Sequence, residues 1–186
     1  MNQESARGGV VVRRLTTQRF SRRHRENGMG AATAEARLQG LEIAQQIREL
    51  ADIPAPADVA ERLGVAVGDQ VFVRRRRVML ADGTPLQLAD SYLPLDIAQG
   101  RIREPNSGPG GTYARIEEGG RILTQFKEWL WHRPASADER QELELDEGDH
   151  VIELHRVAFA GDQPVECFVG VMAASRHTFE HEIDAT

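Results

Sequence analysis

A single cysteine, Cys167, stands among the 186 residues. It excludes an internal disulfide and any zinc site built on several thiolates. Its neighbours are Glu166 and Phe168, and a negative neighbour raises a thiol pKa, so the residue reads as a core cysteine rather than a nucleophile. No apolar run approaches the roughly 18–20 residues needed to cross a bilayer. The opening MNQESARGG has none of the apolar stretch of a secretory signal. These absences point away from a membrane and towards the cytoplasm. Catalytic and nucleotide motifs are missing too: there is no GxSxG elbow, no P-loop and no GxGxxG. The Gly-rich SGPGG at 107–111 ends in no Lys-Ser/Thr pair. His177 and His181 are four apart but lack the Glu of an HExxH metal motif, and they read as surface histidines. No cofactor, metal or catalytic residue is implied.

Present instead is an ordinary globular mixture, 40% hydrophobic and 28% charged, of a length that suits one domain plus a short arm. The net charge of -6 argues against nucleic-acid binding by the whole chain. The charge is uneven. Residues 1–26 carry seven arginines against Glu4 and Glu26. A basic arm ahead of an acidic body suits a polyanion near the N-terminus, or a solvated leader.

Hydrophobic periodicity gives the elements. GVVVRRL reads as a short strand. Thr33 to Leu50 reads as a helix capped by Thr33 and weakened by Gly40. Asp58 to Leu63 is a short helix ended by Gly64. Gln70 to Leu80, the ADGT turn and Pro85 to Leu93 form a β-hairpin. Residues 100–111, rich in Gly and Pro, read as a mobile loop, followed by a helix from Thr112 to Glu118. Arg121 to His132 is a strand and Ala135 to Leu143 a helix. Val151 to Ala160 and Pro164 to Ala173 make a second hairpin, and His177 to Ile183 a last strand. LGVAVGDQVFVRRRRVMLADGTPLQLADSY resembles LELDEGDHVIELHRVAFAGDQPVECFVGVM. This repeat of about 80 residues implies two related hairpins in one antiparallel sheet, an α+β fold.

Within the first hairpin, Arg74 to Arg77 must alternate faces. Two of the four point towards whatever covers the sheet, and a buried arginine needs an acid or an anionic ligand. Glu166, on the returning strand of the second hairpin, could pair with an arginine or accept from a ligand.

VRRRRVMLADGTPLQLADSYLPLDIA resembles the hairpin of the UTRA domain, the effector-binding module of the HutC branch of GntR-type regulators. TYARIEE, ASADERQELELDEGDHVIELHRV and QPVECFVGVMAASRHTFEHEID follow in the family's order. ARGGVVVR resembles the end of a winged helix-turn-helix. The resemblance divides the chain into residues 1–30, a remnant of the DNA-binding wing and basic linker, and residues 31–186, the effector-binding and dimerisation domain. It implies a chorismate-lyase-like antiparallel sheet of about six strands with packed helices. It also implies a homodimer, a small-molecule effector, and operator DNA reached only through an N-terminal head. By position, Arg77 matches an arginine that contacts the ligand's anionic group and Glu166 an acid that holds ligand hydroxyls. Gly30, Ala31, Ala32 and Thr33 match a segment that closes over the anion. Thr112 lies near another family contact, and Ser91 and Tyr92 match the end of the hairpin strand. Met79, Ala89 and Met172 stand where sugar-phosphate sensors carry polar groups. These substitutions, rather than the resemblance itself, point to a less polar effector with one acidic group, held by Arg77 and packed on Met79, Phe168 and Met172. The function implied is that of a repressor's ligand-sensing domain, whose effector alters the dimer and releases DNA. A chorismate-lyase-like enzyme, a dimerisation module without ligand, and DNA binding by the basic arm alone are the alternatives.

Overall fold

A computed structural model describes residues 10–15 and 19–182 of the chain. Its frame is a six-stranded antiparallel sheet in the order β2-β3-β4-β7-β6-β5. The strands are β2 (Ile43–Pro54), β3 (Gln70–Leu80), β4 (Pro85–Pro94), β5 (Gln125–Pro134), β6 (His150–Ala160) and β7 (Gln163–Ala173). Valine-rich runs such as Val71-Phe72-Val73 suit a pleated surface buried on both sides. Two more strands lie apart from this sheet. β1 (Val12–Leu15) runs parallel to β8 (His177–Glu180), so the two ends of the described chain meet. Residues 1–9, which include the start of the wing-like stretch, and 183–186 lie outside the described residues.

Helices cover both faces. On the back, α3 (Ala57–Leu63) buries Val59, Ala60 and Leu63 against Val71, Val73, Tyr92 and Cys167. The spacing of Val59, Ala60 and Leu63 puts all three on one side of the helix. The chain leaves α3 through Gly64, in the left-handed conformation a C-terminal glycine supplies without strain. α5 (Ala137–Leu143) begins with a capping box: Ser136 Oγ accepts from the Glu139 amide, and the Glu139 carboxylate accepts from the Ser136 amide. It buries Leu143 against Ala135 and Val151. Complete burial of a leucine of this kind stabilises the fold by roughly 1.5–3 kcal/mol. Cys167 is fully buried, and desolvation followed by the nearby Glu166 pushes its thiol up to about 12.

On the front lie α1 (Arg22–Glu26), α2 (Ala31–Leu38), α4 (Gly111–Glu118) and a 3-10 turn at Gly100–Arg103. Tyr113 and Ile116 of α4 and Ile102 of the 3-10 turn pack in one cluster with Phe72, Leu93 and Ile97. Arg25 ties α1 to α4 through two hydrogen bonds to Glu117, at 2.9 and 3.0 Å.

Three expectations change. The helix expected over Thr33 to Leu50 is α2 only as far as Leu38. Gly40, with φ +69°, then turns the chain, and Ile43 starts β2. Helix-forming residues such as Gln45, Gln46 and Glu49 adopt a strand because the edge of β3 is there to pair with; tertiary pairing outweighs local propensity. The loop over 100–111 is packed in part: Ile102 is buried, and Arg74 donates to the carbonyls of Glu104 and Pro105. The last strand, read over His177 to Ile183, is β8 over His177–Glu180 and pairs with β1.

Candidate functional site

A cavity of about 590 Å³ lies between the front face of the sheet and the front helices, within the usual range for small-molecule sites. Its floor comes from five strands. Alternation sends Arg74, Arg76 and Val78 of β3, Gln87 and Ala89 of β4, and Glu166 and Phe168 of β7 into it. β6 adds Arg156 and β2 adds Gln45 and Ile47. The roof is Asn27 to Thr33 together with residues 105–108 and 110–113.

Two helix starts converge on this space. α2 begins at Gly30 and α4 at Gly110, and neither has a side-chain cap. They are close: a Cβ placed on Gly30 would meet the Gly111 Cα at 3.9 Å. Gly110 is tighter still. Its φ is +79°, and a Cβ there would lie 2.5 Å from the Ala114 Cβ and 3.0 Å from the Arg25 carbonyl oxygen. First-turn amides have no partner within their own helix, and the helix dipole favours negative charge at that end. Two such ends facing one cavity are an arrangement that favours an anion.

The charged lining points the same way: five arginines (Arg19, Arg37, Arg74, Arg76 and Arg156) face one acid, Glu166. Two of them are already held by the protein. Arg74 is engaged by the two loop carbonyls, and burial followed by Arg76 lowers it to about 10. Arg156 donates to the Tyr113 hydroxyl at 3.1 Å and to Glu128 at 3.3 Å, and lies over the rings of Phe168 and Phe20. Arg76 is freer. It donates to Ser91 Oγ at 2.8 Å and Gln45 Oε1 at 3.4 Å, while its Nε lacks a hydrogen-bond partner among the described residues. Glu166 is 2% exposed and its Oε2 has no partner among the described residues. The Tyr113 hydroxyl, pushed up chiefly by burial, stays protonated beside it.

Of the residues singled out from sequence, Ala31, Ala32, Thr33, Ala89, Thr112, Glu166 and Phe168 line the cavity. Arg77 does not. It lies on the back of the sheet and donates to Glu144 at 2.9 Å. Strand alternation explains the difference, because a shift of one position along β3 exchanges the faces, and Arg76 occupies the place expected of Arg77. Met79 shares the back face with Arg77, and Tyr92 packs there under α3. Ser91 stands behind Arg76 and orients it. Met172 lies beneath Phe168 in a cluster with Val78, Ala89 and Leu154. The apolar wall expected from Met79 and Met172 is therefore not part of the cavity. Arg19, Gln87, Tyr113 and Arg156 went unnoticed, and Arg76 was marked only as one of the Arg74–Arg77 run. Arg156 was within reach of the internal repeat, since it occupies in the second hairpin the position of Arg76 in the first. Arg19 carried no signal of its own.

Among the described residues no cluster of three or more His, Cys, Asp or Glu side chains could hold a metal. Among the described residues no helix is long and apolar enough to cross a membrane.

Residues 38–178 match the family model described as the UTRA domain. The chain is 31% identical over 142 residues to an uncharacterized HTH-type transcriptional regulator of Streptomyces coelicolor, SCO4628, covering 74% of this chain and 53% of that protein. It is 30% identical over 135 residues to the HTH-type transcriptional repressor PhnF of Mycolicibacterium smegmatis, covering 73% and 54%. The chain thus spans about half the length of these relatives. The crystal structure of the PhnF effector domain superposes with a TM-score of 0.72 at 27% identity, over 85% of this chain and 97% of that one. The fuller PhnF structure gives 0.77 at 24% identity, over 95% and 73%. With the family match over three quarters of its length and this antiparallel sheet beneath it, the chain belongs to the UTRA domain family of GntR-type transcription regulators.

Proposed function

We propose that this chain is the effector-sensing part of a transcriptional repressor, and that its effector is a small acidic metabolite seated in the cavity. The observation that carries the reading is the convergence of two uncapped helix starts on a cavity lined by five arginines and one glutamate. The anionic group sits at the helix starts with Arg76 alongside. Glu166, which can only accept while ionised, takes a hydroxyl or amine of the same molecule. The protein works as a homodimer, and operator DNA is contacted through an N-terminal head. Effector binding favours one arrangement of the dimer and thereby changes the spacing of the two heads against the half-sites. The effector can shift that equilibrium only by its difference in affinity for the two arrangements.

Isothermal titration with a panel of phosphorylated, phosphonate, carboxylate and uncharged metabolites tests the reading. Saturable binding by a dianionic member is expected, weakened at least about tenfold in Arg76→Gln, the loss of one hydrogen bond to a charged group. Binding confined to uncharged or cationic members would overturn it.

A further inference from the structure

Two guanidiniums of the cavity do not come from the sheet, Arg37 on α2 and Arg19 ahead of α1. Arg19 precedes α1, outside the stretch matched by the family model. It lines the cavity, yet it is only 4% exposed. Its Nε and Nη1 have no hydrogen-bond partner among the described residues, and the nearest carboxylate oxygen, Glu35 Oε2, is 3.8 Å from Nη1. That oxygen is shared: Arg14 Nε lies 3.4 Å from it, while Glu35 Oε1 accepts from the Leu15 amide at 2.8 Å. Glu35 therefore faces two buried arginines, and Arg19 holds the weaker share. Burial, followed by the nearby Arg14, pulls the Arg19 guanidinium down to about 9. A guanidinium buried with poor compensation costs stability, and a cation of this kind beside an anion seat has one evident use.

We propose that Arg19 is an effector-contacting residue, whose guanidinium donates to the anionic group at the two helix starts and ties the segment between β1 and α1 to the occupied cavity. The path onward is short. Arg19 and Arg14 share Glu35 on α2, Glu35 holds the β1 backbone at Leu15, and Arg14 reaches Gln87 on the cavity floor at 3.0 Å. Occupancy is thus felt at β1 through two routes, one by way of Glu35 and one by way of Gln87. This inference rests on the anion-seat reading above and adds to it a contact from outside the sheet.

The probe is inorganic phosphate, titrated into the whole chain at constant ionic strength and neutral pH, with Arg19→Met, Arg19→Lys and Arg76→Gln compared. Arg19→Met is expected to bind phosphate at least about tenfold more weakly, with an apo thermal midpoint no lower than that of the parent, because it removes a poorly paired buried charge. Arg19→Lys should fall between, keeping a charge but losing the planar fork. Phosphate should also slow amide exchange over residues 19–26 of the unaltered chain, a readout that depends on no variant. If Arg19→Met binds within twofold of the parent while Arg76→Gln is weakened, the inference fails and the cavity reading stands. Unchanged exchange over residues 19–26 at saturating phosphate also sinks the inference alone. If the parent shows no saturable binding, or all three variants match it, both fail.

Discussion

The two halves of the main sheet are built on one plan and used differently. β2, α3, β3 and β4 recur as β5, α5, β6 and β7, so Ala57–Leu63 answers Ala137–Leu143 and Gln70–Leu80 answers His150–Ala160. The details repeat. The Ala55 amide donates to the Asp69 carbonyl, as Ala135 does to Asp149, and the carboxylates of Asp69 and Asp149 accept from Ala66 and Asp146. The registers place Val78 opposite Gln87 and Ala158 opposite Glu166. β4 and β7 then pair across an approximate two-fold at Asp90 and Val169. The cavity floor consequently holds Arg76 with Arg156 and Gln87 with Glu166, one of each from either half.

The equivalence ends at the partners. Gln87 accepts from Arg14 and is satisfied, whereas its counterpart Glu166 keeps an oxygen without a hydrogen bond. Arg156 is locked between two rings and a glutamate, whereas Arg76 is held only by Ser91 and Gln45. A repeated unit gives a cavity with like groups on both sides, and a ligand in it would have no fixed direction. The partners supply that direction: Gln87 of the first half and Arg156 of the second are engaged by the protein, while Arg76 of the first and Glu166 of the second each keep a polar atom without a hydrogen-bond partner among the described residues.

The sharpest way to break this comparison is to remove each arginine in turn. Arg156→Gln leaves Glu128 and Glu166 buried beside an empty place, and urea unfolding should show a loss of about 3–5 kcal/mol. Arg76→Gln gives up a bond to the buried Ser91 hydroxyl and should lose about 1 kcal/mol. Equal losses would mean that the two arginines are held alike. A second test concerns His177, which belongs to the β1–β8 pair that only the second half leads into. Burial, with Arg14 adding to it, holds its ring at about 3 rather than 6.5, and Nδ1 contacts the Ala173 carbonyl. The ring is neutral in the fold, and the unfolded chain takes up a proton below about 6.5. The contribution is therefore complete above that pH and is lost as the pH falls towards 3, by up to about 1.4 kcal/mol per pH unit. Thermal midpoints of His177→Gln should fall less steeply than the parent's over this range. The smallest effect is expected at the ends of α3 and α5. Gly64 takes φ +69° freely, while Glu144 takes φ +51° with a side chain. Glu144→Gly should relieve a left-handed strain of about 1–2 kcal/mol, offset by the freedom glycine adds to the unfolded chain. A net gain of about 0.5 kcal/mol is expected by the same unfolding assay; a loss would show that the Arg77 contact outweighs the strain.

The repeat was legible in sequence because its punctuation is local: Gly68-Asp69 and Gly148-Asp149 turns, Pro54 and Pro134, and hairpins of matching length. Two related hairpins in one antiparallel sheet followed from it, while the count of about six strands came from the family resemblance. The site was harder, since facing depends on phase, and an error of one residue in a strand exchanges what is inside for what is outside. Arg77 for Arg76 is that error, and it carried Met79 with it. The segment Ile43–Pro54 was misread because its composition suits a helix and its partner strand lies far along the chain. Arg19 was invisible for the same reason: nothing near it in sequence shows that Glu35 and the cavity lie beside it.

The parallel pairing of Val12–Leu15 with His177–Glu180 has a consequence for how the chain can be cut. Among the described residues β1 has no other strand to lie on, so its direction is set by residues more than 160 positions away. Trimming the chain before His177 would leave β1 held by the side chains of Gln39, Glu35 and Gln87 and by the Arg19 amide on the Leu15 carbonyl. Whatever precedes β1 would then be aimed without the help of a paired strand. Damage to the last strand would thus show itself first at the opposite end of the sequence, as a loss of orientation rather than of folding.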